Sequence, residues 1–467
     1  MHQNAEIPVR SRFWLKPKIG FLGSFHLFDS ITIAYSVLLA QLSLIIFWPI
    51  ISQIEFEEAF FTPLVPFLIN LFKTFGVNAP DSIKIIIVGS FMMSTVGIYL
   101  FVRELTRRHV TPILAALIYL LPPIPVFTLT FIRRGLLDAE LASAKSFFMV
   151  VYGDGAHFLA LALIPFACIF FLRYLKRNHA HNLVFSVLLC SLILLTNRTH
   201  ALNLFIILGV LSLTELFLDQ TKIKINRLLQ VLFLSVGVVS FWYTPSYWYI
   251  SILSFGQLLI DNIKYLFPLP FIIASLALLF SFVFFARREA RQLIFLSFLL
   301  VAIFLSIAGS WYFTHHSFVP HPYRILSLIN MFGAITLAIF FNAIIQRLNL
   351  GQYIRLERLS SAYRTAAALL FSILSFALLA VGAYTLSPLV IILFSGPGGI
   401  WTKVSENVLA ERFVTLKIAG GNFVLFNPGS PSWQYGVGIA LSVFFTLYLL
   451  YYWYSREGRA VLNLKSS

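Results

Sequence analysis

The feature that most constrains this chain is a series of apolar runs, each long enough to form a membrane-crossing helix, that recurs along almost its whole length. About twenty apolar residues in a helix cross the hydrocarbon core of a bilayer. The 467 residues are 59% hydrophobic and only 11% charged, which is more apolar surface than a soluble core absorbs. The sequence therefore predicts an all-α integral membrane protein with about twelve transmembrane helices. The predicted spans lie near 29–50, 82–102, 110–131, 155–173, 182–197, 201–218, 228–247, 267–286, 292–311, 325–346, 365–386 and 436–454.

Basic residues alternate with the apolar runs and so predict the orientation of the chain. The net charge is +16, and about two thirds of the 34 Lys and Arg fall in the termini and in every second loop. These basic loops are 103–109, 173–181, 219–227, 286–292 and 346–364. Cytoplasmic loops carry an excess of Lys and Arg, so this set is predicted to be cytoplasmic. An even number of spans then places both termini in the cytoplasm, in a multi-pass protein of the cell membrane.

The chemical partners that this charge favours are membrane lipids. The Lys and Arg are spread in small groups over many short loops and form no continuous basic stripe. This distribution is typical of contacts with anionic lipid headgroups, and it argues against a nucleic acid partner.

The chain divides into membrane and loop segments, and no separate soluble domain is predicted. Residues 1–28 form a basic cytoplasmic tail, and the apolar run that follows is too long for the core of a cleaved signal peptide, so it is predicted to remain as the first span. Cys168 and Cys190 lie within apolar runs, which predicts packed core thiols rather than a disulfide or metal site. The other segments are a transmembrane region 29–346 of about ten spans, a basic cytoplasmic loop 347–364, a C-terminal pair of spans within 365–454 around the outer loop 387–435, and a cytoplasmic tail 455–467.

The loops on the predicted outer face are longer, and their charges nearly balance. Residues 60–75 and 249–266 each carry an apolar stripe and are predicted to be helices lying in the membrane interface. The glycine-rich loop 387–435 contains alternating residues, which predict a small β-hairpin. The outer loops are 51–81, 132–154, 198–200, 248–266, 312–324 and 387–435.

The first outer loop carries an acidic cluster, Glu55, Glu57 and Glu58. On a helix Glu55 and Glu58 share a face, and on a strand Glu55 and Glu57 do. Converging carboxylates can hold a divalent cation such as Mg²⁺ or Mn²⁺, with Glu55 and Glu57 as ligands, or one of them can act as a general base. The alternative is a solvated acidic turn after the first span.

The second outer loop places charged residues at both of its ends. Arg133 and Arg134 follow the third span on the predicted outer face, where the positive-inside rule does not explain basic residues. Guanidinium groups bind phosphate oxygens well, so both arginines are candidate phosphate ligands. Asp154 directly precedes the fourth span, and His157 lies in the first turn of that span. The glycines on either side of Asp154 allow a tight turn. Asp154 is a candidate catalytic carboxylate, and His157 is a candidate phosphate ligand together with the two arginines. The alternatives are ordinary lipid headgroups for the arginines and a helix cap for Asp154.

Two further outer segments supply groups that could bind phosphate. The aromatic segment 311–324 contains His315, His316, His321 and Arg324, and of these His321 and Arg324 are the candidate ligands of an anionic group. Adjacent histidines point in different directions, so they are weak evidence for a shared metal. The short turn before the sixth span adds Arg198 and His200. The alternative is a set of ordinary interfacial residues in an aromatic belt.

Motifs of soluble nucleotide and hydrolase chemistry are absent from the sequence. It contains no GxxxxGK[ST], HExxH, CxxC or GxSxG pattern. Strongly polar positions within the spans are scarce, and the clearest, Asp29 and Glu215, lie near span ends. A transporter ordinarily carries ionisable groups near the middle of the bilayer. Their scarcity here favours a functional site at the outer surface of the membrane.

The order of the segments resembles the GT-C-like polytopic membrane glycosyltransferases, in particular the 6-pyruvoyl-tetrahydropterin-synthase-related membrane protein family. The residues that carry the resemblance are TPLVPFLINLFKTFG (62–76), GIYLFVRELTRRHVTPILAALIYLLPP (97–123), YGDGAHFLALALIPFACIFFLRYLKR (152–177), LLTNRTHALNLFIIL (194–208), SFWYTPSYW (240–248) and VPHPYRILSLINMFGAI (319–335). Together they cover most of residues 55–346.

The resemblance implies a GT-C-type enzyme that transfers a sugar from a polyprenyl-phosphate donor to a glycan, lipid or protein acceptor. An acidic residue of the first outer loop then serves as base or metal ligand, a role that falls on Glu55, Glu57 or Glu58. The DxD pattern expected near that loop is absent. Two alternatives stay open: a transporter or flippase of lipid-linked glycans, and a non-catalytic membrane protein of the same family.

Overall fold

The regular secondary structure of the chain in the computed structural model is helix, with no strand among the residues it describes. These residues are 30–51, 62–106, 109–120, 155–219, 223–266, 325–347 and 432–458, together with parts of 296–319. The helices are α1 (Ser30–Ile51), α2 (Leu64–Thr74), α3 (Ala79–Thr106), α4 (Val110–Leu120), α5 (Gly155–Arg177), α6 (Ala180–Thr196), α7 (Arg198–Asp219), α8 (Ile223–Val238), α9 (Pro245–Leu266), α10 (Ile325–Arg347) and α11 (Ser432–Trp453), which a short π-helix Tyr454–Gly458 continues.

Three of the described helices are long and apolar enough to cross a membrane by length and composition: Ala79–Thr106, His157–Arg177 and Trp433–Arg456. Helix α11 also carries exposed aromatic residues near both ends, Trp433 and Tyr451. At 1.5 Å per residue these lie about 27 Å apart. That is close to the bilayer hydrocarbon thickness of roughly 30 Å, and Trp and Tyr are enriched at its two interfaces. The helices thus have the character of an integral membrane protein.

Helix α5 is the central element of the described core. It packs against α3, α6 and α7, and almost all of it is buried within the protein. Gly97 of α3 lets the two helices approach closely, because a Cβ atom there would lie 3.0 Å from the ring of Phe166 and 3.1 Å from Pro165. The predicted burial of Cys168 and Cys190 is confirmed, and both thiols are free.

Tight corners make the neighbouring helices antiparallel. Asn178 adopts a left-handed backbone conformation (φ 53°) between α5 and α6, a conformation that Asn tolerates better than most residues. Asn197 alone, in an extended conformation, joins α6 to α7. The sequence predicted a turn at 198–200, whereas the structure makes Arg198 the first residue of α7. As a result, His200 lies within a helix.

Antiparallel packing gives the bundle two ends of different chemistry. The first turns of α5, α7 and α10 meet at one end, here called the histidine end. The last turns of α5 and α7 and the first turn of α8 meet at the other, here called the basic end. His157 and Arg173 mark the two ends on α5, about 24 Å apart at 1.5 Å per residue.

The predicted span 228–247 is shorter in the structure. Helix α8 ends at Val238, turns follow, and α9 begins at Pro245, so the predicted interfacial helix 249–266 starts earlier than expected. Proline has no N–H and favours the first turn of a helix, which explains the new start. Side chains of α11 accept hydrogen bonds from backbone amides at this break between α8 and α9. The Phe241 amide donates to Ser442 Oγ at 2.8 Å, and the Ser246 amide donates to Gln434 Oε1 at 3.1 Å.

Several sequence predictions lie outside the described residues. They include the tail 1–28, the loop 132–154, the spans 267–286 and 365–386, and the β-hairpin proposed within 387–435, of which only the first turn of α11 is described. The predicted interfacial helix 60–75 is described as Leu64–Thr74.

Candidate functional site

Three side chains form a buried hydrogen-bonded chain at the histidine end. His200 Nε2 lies 2.6 Å from His157 Nδ1, and His157 Nε2 lies 2.9 Å from Ser327 Oγ. The two imidazole rings have centroids 4.3 Å apart. Both histidines are fully buried, and Ser327 is 1% exposed. Residues separated by 43 and 170 positions in the sequence are thereby joined.

Each of the three residues is the third residue of its helix. His157 belongs to α5, His200 to α7 and Ser327 to α10. The first turn of a helix has backbone N–H groups without intrahelical partners and is the positive end of the helix dipole. Three such ends therefore converge on one point, an arrangement that favours a nearby anionic group.

The hydrogen bonds within the chain constrain the protons. Between His200 and His157 one ring nitrogen must donate and the other accept, so a single hydrogen occupies that contact. Two directions satisfy both contacts: Ser327 accepts from His157 while His157 accepts from His200, or every donor and acceptor is reversed. A hydrogen-bonded chain that can run in either direction can carry a proton from one end to the other.

A second polar layer lies one turn further into the bundle. Asn203 follows His200 by three residues on α7, and Asn330 follows Ser327 by three on α10, so each pair shares a helix face. Asn203 is fully buried, and neither its Oδ1 nor its Nδ2 has a hydrogen-bond partner; Asn330 Nδ2 also has none. Buried amides without partners are uncommon, because each costs desolvation energy, and a bound hydroxyl, ion or water would complete them.

The segment that follows the acidic cluster enters the described structure at this same end. Thr62 donates its hydroxyl hydrogen to the backbone oxygen of Thr196 at 2.5 Å, and both side chains are buried. Thr196 is the last residue of α6, just before α7 begins. Glu58 precedes Thr62 by four residues in the sequence.

The structure brings two of the predicted phosphate-binding residues together, His157 and His200. They contact each other rather than solvent, so any effect on a phosphate must pass through neighbouring groups. Arg198 is the first residue of α7, but its side chain lies outside the described part, as do Glu55, Glu57, Glu58, Arg133, Arg134, Asp154, His321 and Arg324. In the sequence, Asp154 and Arg324 immediately precede α5 and α10.

Sequence reasoning missed Ser327, Asn203 and Asn330. All three are uncharged and lie in apolar spans, where single polar residues commonly bond to their own helix. The available signal was the spacing: a polar residue three positions after another, in the first two turns of two separate spans.

The basic end is held by ion pairs. Arg173 makes two hydrogen bonds to Glu104, at 3.0 and 2.7 Å. Glu215 pairs with Lys224 at 3.1 Å and with Lys176 at 3.4 Å. Between the two ends, α5 has no charged side chain. The described charges thus lie at the ends of this helix and not at mid-depth.

Within the described part of the chain, no group of three or more His, Cys, Asp and Glu side chains could hold a metal ion. The predicted cation ligands Glu55 and Glu57 lie outside that part. Comparisons of the chain with protein-family models, with curated proteins and with solved structures find no match.

Proposed function

We propose that this protein is a membrane glycosyltransferase of the GT-C type, which transfers a sugar from a polyprenyl-phosphate donor to an acceptor at the outer face of the cell membrane. In this proposal about twelve helices cross the bilayer. The basic end and both termini face the cytoplasm, and the histidine end faces outward. The observation that carries the proposal is the buried contact among His157, His200 and Ser327 at three converging helix N-termini.

Convergence of the helix ends supports a phosphate group as the ligand. Backbone N–H groups and helix dipoles favour anions at this position. The sequence adds Arg198 at the start of α7 and Arg324 directly before α10. Guanidinium groups bind phosphate oxygens in pairs of hydrogen bonds, so these residues, with Arg133 and Arg134, are proposed to hold the lipid phosphate.

The proposed reaction needs one base and stabilisation of one leaving group. A carboxylate, proposed to be Glu57 or one of its neighbours Glu55 and Glu58, takes the proton of the acceptor hydroxyl. The acceptor oxygen forms a bond to the anomeric carbon while the bond from that carbon to the phosphate oxygen breaks. The polyprenyl phosphate leaves with the negative charge, which the arginines stabilise. A divalent cation held by Glu55 and Glu57 would add to this stabilisation.

Within this scheme the histidine pair positions groups and moves a proton. His157 and His200 are too deeply buried to contact a bulky substrate directly. Asp154 precedes α5 by one residue, so its carboxylate is proposed to exchange a proton with the chain of His157, His200 and Ser327. Asn203 lies one turn further into the bundle than His200, and its unpartnered amide is proposed to donate or accept a hydrogen bond with a bound hydroxyl or water.

Transport of a lipid-linked glycan is the rival function. A carrier needs polar groups along a path through the membrane. In the described helices α5 and α6, the residues between the two ends carry no charge. This distribution favours a site confined to one end.

The test is transfer of radiolabel from a polyprenyl-phosphate hexose in membranes that contain the wild type, Glu57→Gln, His200→Ala or His181→Ala. His181 is a matched control, because it is also a buried histidine but lies near the basic end, at the start of α6. Loss of acid–base catalysis ordinarily costs about 100-fold or more. We expect losses of this size in the first two variants and wild-type turnover in the control. Equal turnover in all four would contradict the site, and movement of intact donor across the bilayer without transfer would favour the carrier.

A further inference from the structure

An aromatic cluster of Trp242, Tyr243, Tyr247 and Trp248 lies at the break between α8 and α9. The ring centroid of Tyr243 lies 4.8 Å from that of Tyr247 and 5.6 Å from that of Trp248. The rings of Tyr247 and Trp248 meet edge to face, with centroids 6.0 Å apart and planes at 82°. These distances lie within the roughly 4.5–7 Å that aromatic pairs prefer, so the rings form one packed group.

The aromatic cluster is attached to the histidine end of the bundle. Tyr243 is 2% exposed, and its hydroxyl donates a hydrogen bond to the backbone oxygen of Leu194 in the last turn of α6. Trp242 and Tyr243 also belong to one buried apolar group with Ala201 of α7, which directly follows His200. The cluster therefore lies beside the paired histidines of the proposed transfer site.

Anchoring in the membrane interface is the ordinary role of Trp and Tyr in a membrane protein. Trp433 and Tyr451 of α11 fit that role, because they are 64% and 67% exposed. In the aromatic cluster, by contrast, Trp242 is buried within the protein, and Tyr247 and Trp248 are only partly exposed. The cluster thus packs into the bundle and is open at the edge formed by Tyr247 and Trp248.

One polar atom of the aromatic cluster lacks a partner. Trp248 Nε1 is buried, and it has no hydrogen-bond acceptor among the residues that the structure describes. A buried indole N–H ordinarily donates a hydrogen bond, because leaving it unpaired costs desolvation energy. A ligand oxygen at this point would complete it.

We propose that the aromatic cluster is the sugar subsite of the transfer site. A hexose ring stacks on the partly exposed rings of Tyr247 and Trp248, and one of its oxygens accepts a hydrogen bond from Trp248 Nε1. A sugar presents a face of C–H groups and a rim of hydroxyls, which matches apolar rings that carry one available donor. A hydrocarbon tail has no oxygen to accept that hydrogen bond. The subsite rests on the proposed function, since it needs a sugar-bearing substrate.

The experiment measures equilibrium binding of radiolabelled lipids to the purified full-length protein in detergent. The sugar-bearing lipids are polyprenyl-phosphate glucose, galactose and mannose, and the reference lipid is polyprenyl phosphate without a sugar. Radiolabelled methyl glycosides of the same hexoses represent an acceptor sugar without a lipid. The variants are Trp248→Ala, which removes the ring, Trp248→Phe, which keeps a ring and removes the N–H, and Trp433→Ala as the control.

Trp433 is a matched control, because it is an exposed Trp at the same end of the bundle. It directly precedes Gln434, whose Oε1 accepts a hydrogen bond from the Ser246 amide in the first turn of α9. In each variant the measured quantity is the ratio of the affinities for the sugar-bearing and the sugar-free lipid. Because a loss of folded protein lowers both affinities equally, it leaves this ratio unchanged.

We expect at least one sugar-bearing lipid to bind about tenfold more tightly than polyprenyl phosphate, from one stacked ring and one hydrogen bond. Trp248→Ala should remove most of this preference, Trp248→Phe should reduce it about threefold, and Trp433→Ala should leave it unchanged. Binding of a methyl glycoside that Trp248→Ala weakens would assign the subsite to the acceptor sugar.

The proposal is overturned if the wild type binds neither sugar-bearing lipids in preference nor methyl glycosides. It is also overturned if Trp248→Ala leaves the preference unchanged or if Trp433→Ala lowers it equally. A preference that depends on Trp248 in a protein that transfers no sugar would contradict the proposed transferase and not the subsite. Transfer without such a preference would contradict the subsite alone.

Discussion

His200 Nε2 and His157 Nδ1 lie 2.6 Å apart, and both rings are fully buried. A hydrogen bond of this kind joins α7 to α5 at the end of the bundle where Ser327 of α10 also arrives. Buried polar groups are costly unless they are paired, so the contact both fixes the rotation of the two helices and limits what can replace either residue.

The first prediction concerns the energetic coupling of this pair. His157→Ala and His200→Ala should each lower the free energy of unfolding by about 1–3 kcal/mol, because each leaves a buried partner without its hydrogen bond. The double variant should cost clearly less than the sum of the two, since the hydrogen bond between the two rings is then lost only once and neither ring remains buried without the other. Thermal unfolding in detergent measures the cycle. Strict additivity would show that the rings do not interact.

The second prediction separates ligand binding from stability at Asn203. The side chain of Leu has the same branched shape and the same number of heavy atoms as that of Asn. Asn203→Leu removes an amide without a partner, so the midpoint of thermal unfolding should stay equal or rise. Transfer activity should fall about tenfold or more if the amide bonds a bound hydroxyl, as expected for one lost hydrogen bond of roughly 1.5 kcal/mol. Asn182→Leu is the matched control, because it is a buried Asn near the basic end with an unpartnered Oδ1. Equal activity loss in both variants would contradict a ligand contact at Asn203.

The third prediction concerns the buried charge of Glu215. Lys224→Met should destabilise the protein by about 3 kcal/mol, near the low end for an uncompensated buried charge, because Lys176 still pairs with the carboxylate. Lys176→Met should cost less than about 1 kcal/mol, since that side chain is 44% exposed. Denaturation of the two variants side by side gives the comparison. A larger loss in Lys176→Met would show that Lys224 is not the main partner.

The fourth prediction concerns the attachment of α11. A Cβ atom at Gly237 would overlap the ring of Phe445, so Gly237→Ala should push α11 away and cost about 1–3 kcal/mol. Gly209→Ala on α7 should not be destabilising, because nothing lies within 4 Å of its added Cβ. Adding Phe445→Ala to Gly237→Ala should restore part of the loss. A double variant less stable than either single one would place the strain elsewhere.

The fifth prediction tests the orientation in the membrane. Lys73 on α2 and Arg177 at the end of α5 are both exposed basic residues, whereas the native thiols Cys168 and Cys190 are buried and should not react. In intact cells a membrane-impermeant maleimide should label Lys73→Cys. It should label Arg177→Cys only after the membrane is permeabilised. The reverse pattern would invert the proposed topology.

Much of the secondary structure followed from local sequence. Helices occur at the predicted spans 82–102 and 325–346, for example, because an uninterrupted apolar run of this length has no other way to satisfy its backbone in a membrane. The prediction of the span 228–247 was wrong at its C-terminal end, because helix α8 ends at Val238. The residues after Val238 are rich in aromatic side chains, but Pro245 starts a new helix, and Ser442 and Gln434 of the distant α11 supply hydrogen bonds to the amides of the break.

Of the candidate site, the sequence identified His157 and His200 as residues of one face but gave no reason to pair them. Their contact depends on the rotation of α5 and α7 about their axes and on the single-residue corner at Asn197, which neither apolar content nor charge encodes. Ser327 was beyond such reasoning, because a lone serine in an apolar helix ordinarily bonds to its own backbone.

The sequence by itself determined that the chain is helical, apolar and asymmetric in charge, because these properties depend on composition and short-range order. The tertiary structure alone decided which polar residues meet. A buried polar group needs a hydrogen-bonding partner, and the packing of the helices decides which residue is close enough to be that partner. The contacts between different helices are those of Glu104 with Arg173, Glu215 with Lys224, and His157 with His200 and Ser327.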